Sequence, residues 1–383
     1  MSDRTGENTG PQPHEHIMDL APYVPGRAKV DGVANPVKLS SNESVFGPSP
    51  KALDAYARAG ENLIRYPDAA STDLRAAIGE IHGLDPDRII CGAGSDDLLT
   101  LLIHAYAGPG LEVIHSRYGF MVYPIQSKAV GATAVAVPNK DWAADLDGIL
   151  AAVTPNTRLV FVDNPNNPTG AYLPWDEVER LHAGLPAHVL LVLDAAYAEC
   201  VTADDYRAGE SLVEKADNVI MTRTFSKMYG LAGLRVGWGY GPADVIDILN
   251  RIRMPFNVCL PGQPAAIAAV RDQAHLEAGR AFNAEWRDWL TASLTALGLD
   301  VVPSQTNFVL VGFPKDKPYT AEEANAYLTR HGYLLRWLPA QGLGDHLRLS
   351  IGTPDQNRAV VDLIASFMSV ERSGVEGLAE STA

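Results

Sequence analysis

A lysine in a glycine-rich turn is the residue of this sequence best suited to covalent chemistry. The chain has nine lysines and twenty-two arginines, and most of the lysines stand in polar loops. Lys227 differs, because Thr224 and Ser226 precede it and the apolar, glycine-rich segment 228–234 follows it. Partial burial lowers the pKa of such an amine and frees its lone pair, as a Schiff-base lysine requires. Taken alone, the segment favours a structural lysine near a turn, so the decision depends on other residues.

A glycine motif earlier in the chain predicts a phosphate site. Residues 92–96, Gly-Ala-Gly-Ser-Asp, connect a predicted strand to a predicted helix that begins near Ser95. The free amides and the dipole of a helix N-terminus bind phosphate, although an ordinary capped turn has the same pattern. A dinucleotide fingerprint requires a third glycine at the position of Asp97, and an acid there repels a pyrophosphate. The motif is therefore weak support for a dehydrogenase.

An amide and a carboxylate follow two further apolar runs. Asn167 belongs to residues 163–170, Asp-Asn-Pro-Asn-Asn-Pro-Thr-Gly, and Asp194 directly follows residues 189–193. An unpaired buried carboxylate is costly, and a protonated ring nitrogen is a suitable partner. Turn formation by Asn-Pro and a helix cap at Asp194 are the structural alternatives.

Arginines in apolar surroundings indicate binding of small anions. Arg235 stands eight residues after Lys227, and Arg336 and Arg348 lie in short apolar strands of the last third of the chain. The planar guanidinium group forms forked hydrogen bonds with carboxylates and phosphates. We therefore expect these arginines to bind a phosphate or carboxylate.

The elements that position these residues form a repeating α/β pattern. Short apolar runs that do not alternate with polar residues indicate strands buried on both faces of a parallel sheet, and helical segments separate them. The predicted strands are 88–91, 111–114, 132–137, 157–162, 189–193 and 219–222. Ligands bind open α/β sheets at the carboxyl ends of the strands, where Ser95, Asn167, Asp194 and Lys227 are predicted to lie.

The pattern changes near residue 264, where long helices with few strands predict a smaller α+β lobe. We predict a disordered tail at 1–17, an N-terminal arm at 18–48 that joins the small domain and the substrate site, a large domain at 49–270, a small domain at 271–370 and a flexible tail at 371–383. A chain of 383 residues is long enough for two such lobes.

Composition excludes several classes of protein. The formal net charge of −15 leaves no basic surplus for nucleic acid. Three scattered cysteines form no C-x-x-C pair and predict free thiols in a reducing cytoplasm rather than a disulfide framework or a metal site. No signal peptide and no membrane-length apolar run is visible, so we expect a cytoplasmic protein without a membrane partner.

The motifs together resemble fold-type I pyridoxal-phosphate aminotransferases, and among them the histidinol-phosphate aminotransferase branch. The resemblance covers residues 20–367. It implies a three-layer α/β/α large domain with a mostly parallel sheet and a smaller α+β domain. Segments 21–23, 39–43, 65–68 and 255–258 point to the branch, while Ser44-Val45 depart from its usual Asn-Pro. The shared motifs are, in order, Gly92-x-Gly94-Ser95-Asp96, Asn166-Asn167-Pro168-Thr169-Gly170, Asp194-x-x-Tyr197, Thr224-x-Ser226-Lys227, Gly233-Leu234-Arg235-x-Gly237 and Leu347-Arg348-Leu349-Ser350.

The resemblance also implies the roles of individual residues around pyridoxal 5′-phosphate. Lys227 is the Schiff-base anchor and proton shuttle, Asp194 pairs with the ring nitrogen, and Asn167 and Tyr197 contact the ring oxygen. Tyr118 stacks on the ring. The residues implied at the cofactor phosphate are Ser95, Asp96, Thr224, Ser226, Arg235 and Tyr66 of a partner subunit, and those implied at the substrate are Tyr23, Asn42, Arg336 and Arg348.

The function that the resemblance implies is ping-pong transamination between histidinol phosphate and 2-oxoglutarate, in histidine biosynthesis, by a homodimer with shared active sites. Three alternatives stay open on the sequence alone. An aromatic aminotransferase acting on phenylalanine or tyrosine keeps the reaction, and a decarboxylase of a phosphorylated amino acid keeps the cofactor. A cofactor-binding regulatory module is disfavoured, because no DNA-binding segment is visible.

Overall fold

The computed structural model describes residues 10–22, 26, 29–30 and 33–368. Within this part of the chain thirteen α-helices form. The two longest lie beyond residue 260, in the region for which long helices were predicted. The helices are α1 Glu15–Met18, α2 Pro50–Ala59, α3 Thr72–His82, α4 Ser95–Tyr106, α5 Val122–Ala129, α6 Leu146–Ala152, α7 Trp175–Gly184, α8 Glu210–Val213, α9 Ala243–Ile252, α10 Gly262–Arg271, α11 Gln273–Ala296, α12 Ala321–Arg330 and α13 Pro354–Phe367.

The strands of the described residues form three sheets. A seven-stranded sheet has the order β2-β8-β7-β6-β5-β3-β4, a four-stranded sheet has the order β12-β13-β10-β9, and β1 pairs with β11. The strands are β1 Val37–Lys38, β2 Ile89–Gly92, β3 Glu112–Ser116, β4 Thr133–Val137, β5 Thr157–Asp163, β6 Leu190–Asp194, β7 Val219–Thr224, β8 Gly237–Tyr240, β9 Asp300–Val302, β10 Phe308–Gly312, β11 Tyr333–Leu334, β12 Arg336–Leu338 and β13 Leu343–Ser350.

Apolar residues cover both faces of the seven-stranded sheet. In β5, Val160 and Val162 belong to one core, while Leu159 and Phe161 belong to the core on the opposite face. Helices α2, α3 and α10 pack on the first face, and α4 and α9 on the second. Burial on both faces explains why these strands are apolar throughout. The predicted α/β fold with a mostly parallel sheet is confirmed.

The central strands of this sheet end at the same edge. Strands β5, β6 and β7 are parallel, and their pairing places Asp163 opposite Asp194 and Asp194 opposite Thr222. Because parallel strands point the same way, the residues that follow them collect at one edge of the sheet. The fold therefore brings together the loops that carry Asn167, Tyr197 and Lys227.

A second core lies in the last third of the chain and includes one residue of the N-terminal arm. Trp286 and Leu290 of α11 pack there with strands β10 and β13, and Leu39 joins them after β1 pairs with β11. Helix α11 also carries Leu276 into the core of the large sheet. The domain boundary at residue 270 stays a prediction. Residue 16 of the predicted tail contacts the large sheet's helices, since His16 Nε2 lies 3.2 Å from Ala129 O.

Seven elements of the structure have no counterpart among the predicted ones: α1, α5, α7, α8, α9, β8 and β9. Strand β8 reads Gly-Trp-Gly-Tyr, and two glycines lower the strand propensity of so short a segment. Helix α5 contains Pro124 in its first turn, where a missing amide hydrogen costs little. Strand β8 is also antiparallel to both of its neighbours. Among the described residues, no helix is long and apolar enough to span a membrane.

Candidate active site

Lys227 lies in the turn that follows β7, at the edge where the parallel strands end. The turn is held by hydrogen bonds from Phe225 N to Val236 O and from Gly230 N to Lys227 O, of 3.0 and 2.9 Å. Lys227 is partly buried, and its Nζ lies 5.4 Å from the ring centroid of Tyr197. Burial, together with the positive charge of Arg348, lowers the pKa of Lys227 to about 8. An amine with this pKa is partly neutral at physiological pH and can act as a nucleophile and a base.

Asp194 is a buried carboxylate whose two oxygens both accept hydrogen bonds. The Tyr123 hydroxyl donates to Oδ2 at 2.7 Å, and Thr222 Oγ1 donates to Oδ1 at 3.3 Å. Burial raises the pKa of Asp194, and the donated hydrogen bonds oppose this rise. A carboxylate that is buried and still an acceptor on both oxygens is suited to a cationic partner in the cavity.

Asn167 is held by a carboxylate on one side and a guanidinium on the other. Its backbone amide donates to Asp163 Oδ2 at 3.0 Å, and Arg348 Nη1 donates to its Oδ1 at 2.5 Å. Burial raises the pKa of Asp163 to about 7, despite this hydrogen bond. Because Oδ1 faces Arg348, the Nδ2 donor of Asn167 points to the other side of the amide. Asn167 also lines the cavity beside Lys227.

Tyr197 is fixed by a residue of the N-terminal arm. Asn42 Nδ2 donates to the Tyr197 hydroxyl at 2.8 Å, and Asn42 itself has φ of 55° in the left-handed region. Ser350 Oγ accepts from Asn42 N and donates to Asn42 Oδ1, and Asn307 Nδ2 donates to Asn42 O. These contacts with the second core outweigh the backbone strain at Asn42 and set the position of the Tyr197 hydroxyl.

Two glycines permit the close approach of backbone at the start of α4. Gly94 has φ of 93°, and a Cβ there would lie 2.4 Å from Arg235 Nη2. A Cβ at Gly237 would lie 2.2 Å from Ser95 N. Only glycine at these two positions therefore allows the Arg235 guanidinium and the first backbone amides of α4 to lie close together. The arrangement is a cradle for an anion.

The hydroxyls after β7 join this cradle. Arg235 Nη2 donates to Asp96 Oδ1 at 2.7 Å, and Arg235 Nη1 donates to Ser226 Oγ at 3.3 Å. Ser226 N in turn donates to Thr224 Oγ1 at 3.1 Å. A guanidinium, two hydroxyls and a helix N-terminus thus converge within hydrogen-bond reach of one another, which is the donor set that a phosphate monoester requires.

One cavity collects most of the predicted cofactor residues. Nine of its lining residues were predicted from the sequence: Ser95, Asp96, Asn167, Asp194, Tyr197, Thr224, Ser226, Lys227 and Arg235. The remaining seven are Ser41, Glu43, Phe120, Asp163, Pro165, Ala196 and Ala232. The cavity therefore contains a nucleophilic amine, a buried carboxylate and an anion cradle at its three sides.

Comparison with known proteins identifies the family of nearly the whole chain. The family profile described as aminotransferase class I and II matches residues 34–364. The chain belongs to the class I and II aminotransferases. The cofactor of this family is pyridoxal 5′-phosphate.

Individual relatives match this aminotransferase over nearly the full length of both chains. The chain is 54% identical over 360 residues to a protein of Rhodopseudomonas palustris strain BisB18 named histidinol-phosphate aminotransferase, covering 94% of this chain and 99% of the relative. A Nitrobacter hamburgensis protein of the same name is 52% identical over the same shares of the two chains. The predicted family and branch are thereby confirmed.

Solved structures of related enzymes have the same fold. The Sinorhizobium meliloti histidinol-phosphate aminotransferase in complex with pyridoxal-5′-phosphate superposes with a TM-score of 0.78, at 33% identity over 91% of this chain and 92% of that one. A mutant of Thermus thermophilus aspartate aminotransferase superposes with a TM-score of 0.81, at 25% identity over 94% of this chain and 100% of that one.

Phe120, and not the predicted Tyr118, lines the cavity together with Tyr197. The Tyr118 ring packs on Trp142 instead, with 6.1 Å between their centroids. The backbone turns between the two residues, and Gln341 Nε2 donates to the intervening Gly119 O at 3.3 Å. Because this turn rather than the sequence motif decides which ring faces the cavity, we transfer the proposed stacking role from Tyr118 to Phe120.

Among the described residues, the predicted substrate residues Asn42, Arg336 and Arg348 do not line the cavity itself. Arg348 contacts it through Asn167, and Arg336 is the register partner of Arg348 in the neighbouring strand β12. Asn42 is buried, and its side-chain amide is bonded to Tyr197 and Ser350, which favours a positioning role; its contact with the substrate stays a prediction. Tyr23 lies outside the described residues.

The residues that sequence reasoning missed are those whose partners are distant in the chain. Tyr123 is the main example, because its hydroxyl reaches Asp194 across 71 positions of the sequence. Glu43 lines the cavity and is paired with Lys38 at 2.9 Å. The spacing of three between Phe120 and Tyr123 was only a weak signal, because α5 begins at Val122 and was not among the predicted helices.

Proposed function

We propose that this aminotransferase transfers the amino group of histidinol phosphate to 2-oxoglutarate, as a step of histidine biosynthesis. The observation that carries the proposal is the 54% identity, over 94% of the chain, with a protein named histidinol-phosphate aminotransferase. The geometry supports it, because the charge of Arg348 acts on the reactive lysine and Arg336 is the register partner of Arg348, so that a guanidinium is available for the anionic end of either substrate.

The cavity residues fit pyridoxal 5′-phosphate at its phosphate end. We propose that the amides of Ser95 and Asp96 and the side chains of Thr224, Ser226 and Arg235 hold the phosphate. Support comes from the glycines at 94 and 237, which leave room that a Cβ would fill. The first amides of the twelve-residue helix α4 also favour a dianion.

The other end of the cavity fits the ring. Pyridoxal 5′-phosphate, when bound, supplies an electron-withdrawing ring that stabilises negative charge at the substrate Cα. We propose that Asp194 holds the proton on the ring nitrogen, that the Nδ2 of Asn167 and the hydroxyl of Tyr197 donate to the ring oxygen, and that Phe120 packs on the ring face. Support comes from their common presence in the lining of one cavity.

Lys227 is proposed to hold the cofactor covalently and then to move the proton of the substrate Cα. Its pKa of about 8 leaves a useful fraction of neutral amine at physiological pH. The same amine can take a proton at one carbon and deliver it to another, provided that it is freed from the cofactor. The Tyr197 ring beside its Nζ limits the directions in which it can move.

Arg348 is proposed to bind the anionic group of each substrate in turn. Its Nη2 donates to Ser40 O at 2.9 Å, and its guanidinium lies over the Phe308 ring at 5.1 Å. Together with the contact to Asn167, these hold the guanidinium in one plane. A guanidinium held in a fixed plane can donate hydrogen bonds to a carboxylate or a phosphate without a further loss of side-chain conformational freedom.

We expect Arg348→Ala to raise KM for both glutamate and histidinol phosphate. A hydrogen bond to a charged group contributes about 1.5–3 kcal/mol, so KM should rise by about tenfold to a hundredfold in each half-reaction. Steady-state kinetics with each substrate varied in turn gives both values.

Arg358→Ala is the matched control for this variant, because Arg358 lies on the second core, is half-exposed and packs on Trp286 away from the cavity. Unchanged KM values in Arg348→Ala, or equal increases in Arg358→Ala, would remove Arg348 from the substrate site.

We propose that the chain acts as a homodimer whose Tyr66 reaches the cofactor phosphate of the partner subunit. Support comes from the surface, since Tyr66 is 80% exposed and stacks on Phe256 with 4.5 Å between ring centroids. Leu63, Ile64 and Met254 are exposed by 67%, 90% and 72%. Apolar side chains exposed in this number favour an interface. A cytoplasmic location stays a prediction.

The substrate is tested by a half-reaction screen with the holoenzyme. Histidinol phosphate, phenylalanine, tyrosine and aspartate are each mixed with the protein, and the loss of the visible absorbance of the bound cofactor is followed. We expect histidinol phosphate to react fastest, and added 2-oxoglutarate to restore the absorbance with release of glutamate.

Each alternative has its own outcome in this screen. Faster reaction with phenylalanine or tyrosine indicates an aromatic aminotransferase. Release of carbon dioxide without any transfer to 2-oxoglutarate indicates a decarboxylase. Either outcome would replace histidinol-phosphate transamination as the proposed function.

A further inference from the structure

Tyr123 is a buried tyrosine that contacts Asp194 and to which the proposed function assigns no role. Tyr123 belongs to α5, and its hydroxyl donates to Asp194 Oδ2 at 2.7 Å. The side chain is fully buried. Asp194 is the carboxylate proposed to face the ring nitrogen, and Tyr123 contacts it without being one of the residues that line the cavity.

The position of the Tyr123 hydroxyl is tightly determined by its surroundings. Its ring is stacked on Phe161 of β5, with 4.6 Å between centroids and 16° between planes. Phe120 packs edge-on against it at 5.9 Å, and Ser127 Oγ donates to its backbone carbonyl at 2.7 Å. A side chain packed on both sides cannot turn its hydroxyl away, so the bond to Asp194 is built into the fold.

Asp194 needs such a donor because a second buried carboxylate lies beside it. Asp163 is its register partner on the neighbouring strand, and both side chains are buried. Two adjacent carboxylates in a low-dielectric site do not both ionise easily. Asp163 receives hydrogen bonds from Asn166 Nδ2 and Asn167 N, each at 3.0 Å, whereas Asp194 receives its shortest one from Tyr123.

Tyr123 remains a donor at every physiological pH. Burial, followed by the charges of Asp194 and Asp163, raises its pKa well above the usual value for tyrosine, so the hydroxyl keeps its proton. A group that does not titrate supplies a constant hydrogen bond. The titratable groups that face Tyr123 and Asp194 are Asp163, Asp96, Tyr197 and His115, whose ring centroid lies 6.4 Å from that of Tyr123.

We propose that Tyr123 is a positioning residue that keeps Asp194 ionised and aimed at the ring nitrogen of the cofactor. The inference rests on the proposed cofactor site. Without the hydroxyl, the Asp194 carboxylate is a stronger base and withdraws the proton from the ring nitrogen. The ring then loses its positive charge, and with it part of its ability to stabilise negative charge at the substrate Cα.

Tyr123→Phe tests this proposal, since it removes the hydroxyl and leaves the stacked ring. The visible absorbance of the Lys227-linked cofactor is titrated against pH without substrate, and the cofactor dissociation constant is measured by equilibrium dialysis. Loss of the positive charge on the cofactor ring makes the nitrogen that links Lys227 to the cofactor easier to protonate. The pH at the midpoint of the absorbance change should therefore rise by about one unit, roughly a tenfold change in the proton equilibrium. The cofactor should bind about tenfold more weakly.

Tyr240→Phe is the matched control. Tyr240 is a fully buried tyrosine of the same sheet whose hydroxyl donates to the Glu214 carboxylate, at the end of β8 away from the cavity. Its variant should lose thermal stability and keep the wild-type midpoint. A wild-type midpoint and cofactor affinity in Tyr123→Phe would overturn the proposal.

A second variant covers the case in which Tyr123→Phe does not fold. Thr222→Val removes the other donor to Asp194. A midpoint that is unchanged or raised by less than about one pH unit supports the proposal, because the shorter bond from Tyr123 then remains the main one to Asp194, and a rise of about one pH unit or more overturns it. These measurements use no substrate, so failure of the histidinol phosphate assignment leaves them unaffected, and failure of the cofactor site appears as loss of visible absorbance in the wild type.

Discussion

Lys227→Ala is expected to abolish both the visible absorbance of the covalently bound cofactor and turnover. The variant removes the amine that forms the covalent link and the base that moves the Cα proton. Proton transfer by a positioned base alone contributes about 10²–10⁴-fold, and loss of the covalent link adds to this. Absorbance spectra of the purified variant and single-turnover rates with histidinol phosphate measure the two effects separately.

Two comparisons make this result specific. Lys215→Ala removes an exposed lysine of the same domain and should leave spectrum and rate unchanged. Added methylamine should restore part of the rate of Lys227→Ala, because a small free base can reach a cavity from which one side chain has been removed. If Lys227→Ala kept the wild-type spectrum and turnover, Lys227 would be neither the lysine that links the cofactor nor the base that moves the Cα proton.

The pKa of Lys227 also predicts how the protein without cofactor takes it up. The amine is protonated below its pKa of about 8 and neutral above it. Only the neutral form attacks the cofactor aldehyde. The rate of reloading should therefore rise with pH up to about 8 and level off above it.

Asp194→Asn is expected to have the second largest effect. Asparagine keeps the shape of the side chain but provides no charge for the ring nitrogen. Removal of one partner of a buried ion pair costs about 3–5 kcal/mol, so kcat should fall by about a hundred- to several-thousandfold. Measurement of kcat and of the cofactor dissociation constant distinguishes a loss of catalysis from a loss of binding.

Asp163→Asn is the comparison for this variant, because Asp163 is the register partner of Asp194 and is also buried. Its carboxylate supports the Asn167 loop rather than the ring nitrogen. We expect a smaller loss of kcat and a ring nitrogen that stays protonated, because loss of the Asp163 charge makes Asp194 easier to ionise. A larger loss in Asp163→Asn than in Asp194→Asn would show that the two roles are assigned to the wrong residues.

The sequence by itself determined which residues stand at the strand ends. An apolar run followed by a polar residue is a local pattern, and it identified Ser95, Asn167, Asp194 and Lys227 before any contact was known. Parallel strands separated by helices then bring such residues to one edge as a consequence of topology alone. This is why a single cavity collects nine predicted cofactor residues.

Tertiary structure decided everything that depends on contacts between distant segments. The partners Tyr123 and Asp194 are 71 positions apart, Asn42 and Tyr197 are 155 apart, and Arg348 and Asn167 are 181 apart. No local periodicity reports such pairs, because each is set by how whole elements pack. The exchange of Tyr118 for Phe120 has the same origin, since the direction of a side chain in a tight turn follows from the backbone path and not from residue type.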